Sequence, residues 1–395
     1  MGGCDKSKVF FYALKDYVYI CSGNKHFSPL VFHFSSIMKR ISLLVIFFLP
    51  LLVMAKGRED TRLIVITIDG LRWQEVFTGA DEELINDTKQ VRDTAELRRK
   101  FWRDTPEQRR EVLMPFVWNT IAKQGVLVGN RNKNSVMQVA NKTNISYPGY
   151  SEMMTGMVDE AIKGNDPVNN MHRNVLEVAN QDQRYAGSVV MYGSWKSTRF
   201  AIHNEAAGIP ASVSYEAPVA KKQTSRLKLV ERMMEGMPHY WRSEHFDAFT
   251  YAYALETLMN DHPKVMWISF GDTDKWAHSR NYNLYLDATN YTDAFIRDLY
   301  EACESDRFYR GKTTYIITCD HGRGFGKDWS DHGSRTKGSE ATWFMAFGKG
   351  VQPLGETVNN GPFYTKQFAA TIAKVLGIDF TPESGEQLQS LPLGK

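Results

Sequence analysis

The 395-residue sequence is poor in cysteine, in net charge and in long apolar runs, and each scarcity closes off a class of protein. Its four cysteines, Cys4, Cys21, Cys303 and Cys319, are too few and too scattered for a disulfide framework. Their spacing also rules out a CxxC-type zinc site, so any metal must be held by oxygen and imidazole. The formal net charge of +3 gives no reason to expect a nucleic acid partner. There is no internal repeat and no low-complexity tract. The one extended apolar run, Ile41–Met54, is broken by Pro50 and is shorter than the roughly 20 residues that a membrane-spanning helix needs.

That run has the length of the apolar region of a signal peptide. Lys39 and Arg40 precede it, and Val53, Met54 and Ala55 read as a small-residue cleavage site. Met38 sits directly before the basic pair. The expected organisation is therefore an upstream extension over 1–37, spurious or disordered, a signal peptide over 38–55, and an exported catalytic domain over 56–395, periplasmic or secreted. The alternative is an uncleaved anchor with a true cytoplasmic tail; after cleavage no stable membrane insertion is expected.

What is present is a regular alternation of apolar runs and helical patterns. Arg62–Ile68 is β-branched and ends in Asp69-Gly70, which predicts a buried strand delivering an acid at its carboxyl end. A charged segment over about 81–111 predicts a solvated helical insertion, followed by a helix over 115–125. Further strands are predicted over 186–192, 264–270, 314–318 and 342–347, with helices over 246–259, 284–303 and 366–376. This is an α/β pattern: a mainly parallel sheet with helices on both faces, its ligands bound beyond the carboxyl ends of the strands.

The chemistry-bearing residues follow the apolar runs. Asp69 ends the first. Asp272, Asp274 and His278 follow the run at 264–270, Asp320 and His321 follow the run at 314–318, and His332 comes shortly after. Singly, each has an ordinary reading as a turn former, a helix cap or a surface pair. Together they offer more ligands than one tetrahedral ion takes, and they suit two divalent ions about 4 Å apart, the arrangement used for in-line displacement at phosphorus. Ser146, at the start of a predicted helix, is a candidate nucleophile for a phosphate held at a helix N-terminus; its alternative is a simple helix cap.

These segments, in this order from about Leu63 to Ile378, resemble the alkaline phosphatase superfamily, which includes nucleotide pyrophosphatase/phosphodiesterases, sulfatases, phosphopentomutase and cofactor-independent phosphoglycerate mutase. ITIDG resembles the first metal-binding aspartate, SYPGYSEMMTG the phosphodiesterase nucleophile segment Thr-Phe-Pro-Asn-x-x-x-x-x-Thr-Gly, DKWAH the Asp-x-x-Gly-His motif and CDHG the Asp-His-Gly motif. The spacing from His321 to His332 is similar to that in phosphopentomutase, and TKQFAATIAKVLGI resembles the helix that closes the family's core. The resemblance implies two ions, zinc or manganese. Asp274, His278 and His332 would hold one. Asp69, Asp320, His321 and the Ser146 oxygen would hold the other, with Ser146 forming a phosphoserine intermediate on a small phosphate ester. Asp272 would orient a metal-bound imidazole from behind. Asn165, Asn169 and Asn170 are candidates to contact the phosphoryl group, and Lys337 is either a substrate contact or a surface lysine.

The departures count against sulfatase chemistry. Sulfatases need Cys or Ser followed by x-Pro-x-Arg, and Tyr150 stands at the Arg position. YGSWKS resembles their Gly-Lys-Trp-His with Ser194 in place of lysine. The phosphodiesterase Asn after the nucleophile is also missing, with Gly149 in that region. The expected activity is metal-dependent hydrolysis of a phosphomonoester or phosphodiester. A mutase-type phosphotransfer isomerase, a sulfatase-like hydrolase and a non-catalytic metal-binding protein are the alternatives.

Overall fold

Arg62–Ile68 (β1) is buried along its whole length. Its side chains alternate between two apolar clusters: Ile64, Ile66 and Ile68 enter one, Leu63 and Val65 the other. A strand apolar on both faces belongs in the middle of a sheet covered on both sides, and β1 lies there. In the computed structural model, which describes residues 61–394 and the backbone of Phe11–Leu14 and Tyr17–Ile20, it is the centre of an eight-stranded sheet. The other strands are Val126–Val128 (β2), Val189–Gly193 (β3), Ala211–Val213 (β4), Val265–Phe270 (β5), Thr313–Thr318 (β6), Phe344–Gly348 (β7) and Gly355–Glu356 (β8). Their order is β8-β2-β7-β6-β1-β5-β3-β4. All pairs are parallel except those made by β7, which runs antiparallel to both β6 and β2.

The register sets up the site. Ile68 pairs with Phe270 on β5 and Thr67 with Thr318 on β6, so the carboxyl ends of three adjacent strands finish level. Asp69 and Asp320 each come two residues after the Thr67–Thr318 pair and leave the sheet side by side. Five helices complete the frame: Ser146–Thr155 (α1), Asp247–Asp261 (α2), Asp272–His278 (α3), Tyr282–Ser305 (α4) and Gln367–Leu376 (α5). Tyr253 and Leu258 of α2 and Tyr285, Leu286 and Leu299 of α4 pack into one cluster. Met153 of α1 and Phe368 and Ile372 of α5 pack into the other. Each such side chain contributes about 1.5–3 kcal/mol on burial, and truncating one to alanine costs about 2–5 kcal/mol.

The segment after β1 is helical, as its charge pattern predicts, through Trp73–Thr78, Glu82–Ile85, Thr94–Phe101 and Pro106–Leu113. It is not wholly solvated: Leu84, Leu97, Phe101 and Leu113 are buried against the sheet's helices. Asp93 caps one of these helices and Thr105 and Gln108 form a capping box on another. A second sheet has three strands, in the order Ala341–Thr342, Ser135–Gln138, Asn360–Tyr364. Asp60–Lys395 is one compact unit, and Met1–Glu59 is a separate one. Within the latter, Phe11–Leu14 and Tyr17–Ile20 pair antiparallel. The rest of the expected upstream extension and the expected signal over 38–55 lie outside the described residues. No helix among the described residues is long and apolar enough to cross a membrane.

Candidate metal centre

The carboxyl ends of β1, β5 and β6 bring together two groups of ligand-type atoms. Asp69, Asp320 and His321 form one; Asp274, His278 and His332 form the other. In the first, His321 Nε2 lies 3.4 Å from Asp69 Oδ1 and 3.5 Å from Asp320 Oδ2. In the second, His278 Nε2 lies 3.2 Å from Asp274 Oδ2 and 3.1 Å from His332 Nε2. The groups adjoin: His321 Nε2 is 3.9 Å from Asp274 Oδ1, and the His321 and His332 rings stack at 3.9 Å.

Local structure explains these positions. Asp274 and His278 are four residues apart on α3, which puts them on one helix face. Asp272, two residues before Asp274, points about 200° around the helix and faces the opposite way. The expectation that it orients an imidazole is corrected: among the described residues no histidine is a hydrogen-bond partner of its side chain. Its Oδ2 accepts from the Asp247 N–H at the start of α2 (3.2 Å) and from Tyr291 (2.5 Å). Asp247 returns the favour, accepting from the N–H groups of Gly271 (2.7 Å) and Asp272 (3.0 Å) at the start of α3. The two aspartates cap each other's helices. Thr273 donates to the Asp69 carbonyl (2.6 Å), tying α3 to β1, and the Gly70 N–H donates to Asp320 Oδ1 (3.0 Å), tying β1 to the residues after β6.

Ser146 is the first residue of α1, not its cap; that position falls to Ile145. Its Oγ is buried beside the first group, 3.3 Å from Asp69 Oδ1 and 3.2 Å from His321 Nε2. Gly149 permits this approach, because a Cβ there would come within 2.4 Å of the Asp320 carbonyl oxygen. The N–H groups that follow are not free for an anion. Tyr147 donates to Asn165 Oδ1 (2.9 Å), Pro148 has none, and Gly149 bonds back to Ile145. Asn165 thus sits at the helix start beside Ser146. Asn169 instead lines a neighbouring cavity of about 270 Å³ with Tyr147 and His172. Asn170 is buried and donates to Ser151 (2.8 Å). Lys337 is exposed and has no hydrogen bond or ion pair to the ligand groups.

Three residues that support the ligand positions were assigned no such role from the sequence. Tyr150, one turn after Ser146, donates to Asp69 Oδ2 (3.0 Å) and accepts from Ser269 (3.3 Å). Arg323 is fully buried and joins every ligand-bearing segment: it donates to the Gly70 carbonyl (3.1 Å), the Asp274 carbonyl (3.3 Å) and carboxylate, and the Ser330 carbonyl. Lys275 pairs with the buried Glu244 at 3.0 Å.

The electrostatics are those of a cation site. Asp69, Asp274 and Asp320 converge against one guanidinium, and Asp320 Oδ2 is buried without a hydrogen-bond partner. Burial and the charge of Asp69 push the Asp320 carboxyl up. Burial also opposes the Asp274 carboxylate, but Arg323 and the imidazoles outweigh it and hold it well below the usual range. Against the cost of burial, Asp320, Asp69 and Asp274 raise His321 to about 9, while burial and the neighbouring His321 push His332 down to about 2. Buried excess negative charge on oxygen, with imidazole beside it, fits a hard or borderline divalent ion.

The metalloenzyme superfamily model matches residues 240–375, which span α2 to α5 and include five of the six carboxylate and imidazole positions. Among solved structures, a 2-O GAG sulfatase superposes with a TM-score of 0.55 at 14% identity, covering 84% of this chain and 73% of its own. The alkaline phosphatase PafA superposes at 0.55 with 8% identity, covering 81% of this chain and 96% of its own. The fold is that of the alkaline phosphatase superfamily. The lipoteichoic acid synthase LtaP from Listeria monocytogenes also shares this alkaline phosphatase-like fold, with a TM-score of 0.51 at 9% identity over 84% of this chain and 74% of its own. A search of curated proteins finds no sequence match.

Proposed function

We propose that this chain is an exported phosphoric ester hydrolase that uses Ser146 as its nucleophile. The observation that carries the reading is the placement of Ser146 Oγ, buried within 3.3 Å of both Asp69 and His321. Asp69, Asp320, His321 and Ser146 Oγ would hold one divalent ion, and Asp274, His278 and His332 a second; zinc suits this oxygen and nitrogen set, and manganese is the alternative. Bound there, the ions would lower the pKa of the serine hydroxyl and offset charge on the phosphoryl group.

The chain's own residues supply the rest. Ser146 gives up its hydroxyl proton to solvent and its Oγ attacks phosphorus in line; the P–O bond to the leaving oxygen breaks, and that oxygen takes a proton from water. Water then attacks the phosphorus of the phosphoserine, the bond to Ser146 Oγ breaks, Oγ regains its proton, and phosphate leaves from a monoester substrate or a phosphomonoester from a diester. Tyr150 fixes Asp69, and Arg323 fixes Asp274, so neither carboxylate has to reorganise during the reaction. Asn165, whose carbonyl is already committed to Tyr147, would present its amide to the phosphoryl oxygens.

A sulfatase-like activity is the second reading, favoured by the Ser-x-Pro sequence at the nucleophile. Against it, the position of the arginine required for formylglycine formation holds Tyr150, a buried residue occupied with Asp69. A panel of aryl phosphate monoesters and diesters, an aryl sulfate and an aryl phosphonate, assayed with zinc, manganese or chelator, tests the proposal. Turnover of the phosphate esters that chelator abolishes is expected; turnover of the sulfate alone overturns it.

A further inference from the structure

Lys275 lies between two ligand positions, Asp274 and His278, yet its side chain is aimed away from solvent by a single partner. Its Nζ is 3.0 Å from Glu244 Oε2, the lysine side chain is 26% exposed and the glutamate 2%. Glu244 reaches the carboxyl edge of the sheet because residue 271 is glycine: a Cβ there would come within 2.0 Å of Glu244 Oε1. Gly271 follows β5, which is hydrogen-bonded to β1, so the pair stands one strand away from Asp69. The charges of Asp69 and Asp274 both act on Lys275.

An ammonium has three donors, and Glu244 is the only hydrogen-bonding or ion-pair partner of this one among the described residues. A surface lysine normally leaves its tip free in water; this one is pinned at the rim of the metal centre with donors to spare. Burying Glu244 carries a desolvation cost that the ion pair itself does little more than offset, so holding the ammonium in place is the arrangement's clearest product.

We infer that Lys275 contacts a non-bridging oxygen of the substrate's phosphoryl group, with Glu244 as the positioning residue that holds it. This rests on the phosphoric ester reading above. The site then has a fixed cation besides Arg323, which commits four of its five donors to the ligand-bearing segments.

The test is calorimetric binding of inorganic phosphate, and separately of inorganic sulfate, to the metal-loaded protein, with metal content measured on each sample. Lys275→Met should retain its metal and bind phosphate roughly 10–100-fold more weakly, the loss of one charge-assisted hydrogen bond. Lys275→Arg should recover most of that loss. Equal phosphate affinity in Lys275→Met and wild type, at equal metal content, overturns the inference. So does loss of metal in Lys275→Met, which would make the lysine a structural counter-ion to the ligand carboxylates. If wild type binds sulfate but not phosphate, the phosphoric ester reading falls instead, and the same two variants judge Lys275 on sulfate. Binding of neither anion overturns both.

Discussion

Acid should weaken this fold through His245, which is not one of the ligand-type residues. Its ring is 2% exposed, with Nε2 2.7 Å from Thr250 Oγ1 and Nδ1 against Met234 Sδ, and Tyr215, Phe249 and Tyr253 surround it. Burial alone pushes its pKa down to about 3. The folded state therefore keeps the imidazole neutral while the unfolded chain, with a pKa of about 6.5, takes up a proton. The unfolded state binds more protons between these values, so stability is complete above about pH 6.5 and is lost as pH falls toward about 3. Relative to neutral pH, the loss from this residue is about 1.3 kcal/mol at about pH 5.5 and about 2.6 kcal/mol at about pH 4.5. Urea unfolding of wild type and His245→Gln at these pH values checks it. The variant keeps a hydrogen-bonding group for Thr250 and cannot titrate, so its fixed packing cost cancels when the gap between the two proteins is followed with pH. That gap should move in the variant's favour by about those amounts on acidification. A gap independent of pH would refute the reasoning.

Asp274→Asn should lose about one metal equivalent and nearly all turnover, whereas Asp272→Asn should keep its metal and cost about 1 kcal/mol of stability, as expected for a weakened helix cap; metal analysis and urea unfolding separate the two. Ser146→Ala should lose turnover by several orders of magnitude while retaining most of its metal, read by activity and elemental analysis together. Titration of metal into the stripped protein should be biphasic. The Asp69, Asp320 and His321 group, with two carboxylates and full burial, should fill first. The group containing His278, with a single carboxylate shared with Arg323, should fill second, so that His278→Ala removes only the weaker phase.

Much of the fold was legible because its central elements carry unambiguous patterns. The runs ending at Ile68, Phe270 and Thr318 are strands whose sequence is apolar on both faces, and the long helix Tyr282–Ser305 has a clear helical period. The edge strands β4 and β8, and β2 next to one edge, were not read: runs of two or three residues such as Val126–Val128 are too short for any periodicity to show. The antiparallel course of β7 was also invisible, because an apolar run carries no direction. Its pairing follows from the loop that carries His332 returning the chain to the same edge of the sheet.

The ligand-type residues were legible for a different reason. A strand that ends in an acid fixes that acid at the sheet edge, and an i,i+4 pair on a helix fixes two side chains on one face, so local sequence determines the approximate position of Asp69, Asp274, His278, Asp320 and His321. The same geometry shows why Asp272 was misjudged: two residues along a helix is a change of face, and the motif alone does not say what the other face meets. Tyr150, Arg323 and Lys275 lie beyond local reading altogether. Each acts on a carboxylate from another segment, and its partner is decided by how those segments pack. Arg323 makes the point most sharply: its bonds reach Gly70, Asp274 and Ser330, which are far apart in sequence and adjacent only because β1, β5 and β6 end level. A sheet edge that gathers carboxylates needs a buried cation of its own to hold them before any metal arrives, and that requirement belongs to the assembled edge and to no single motif.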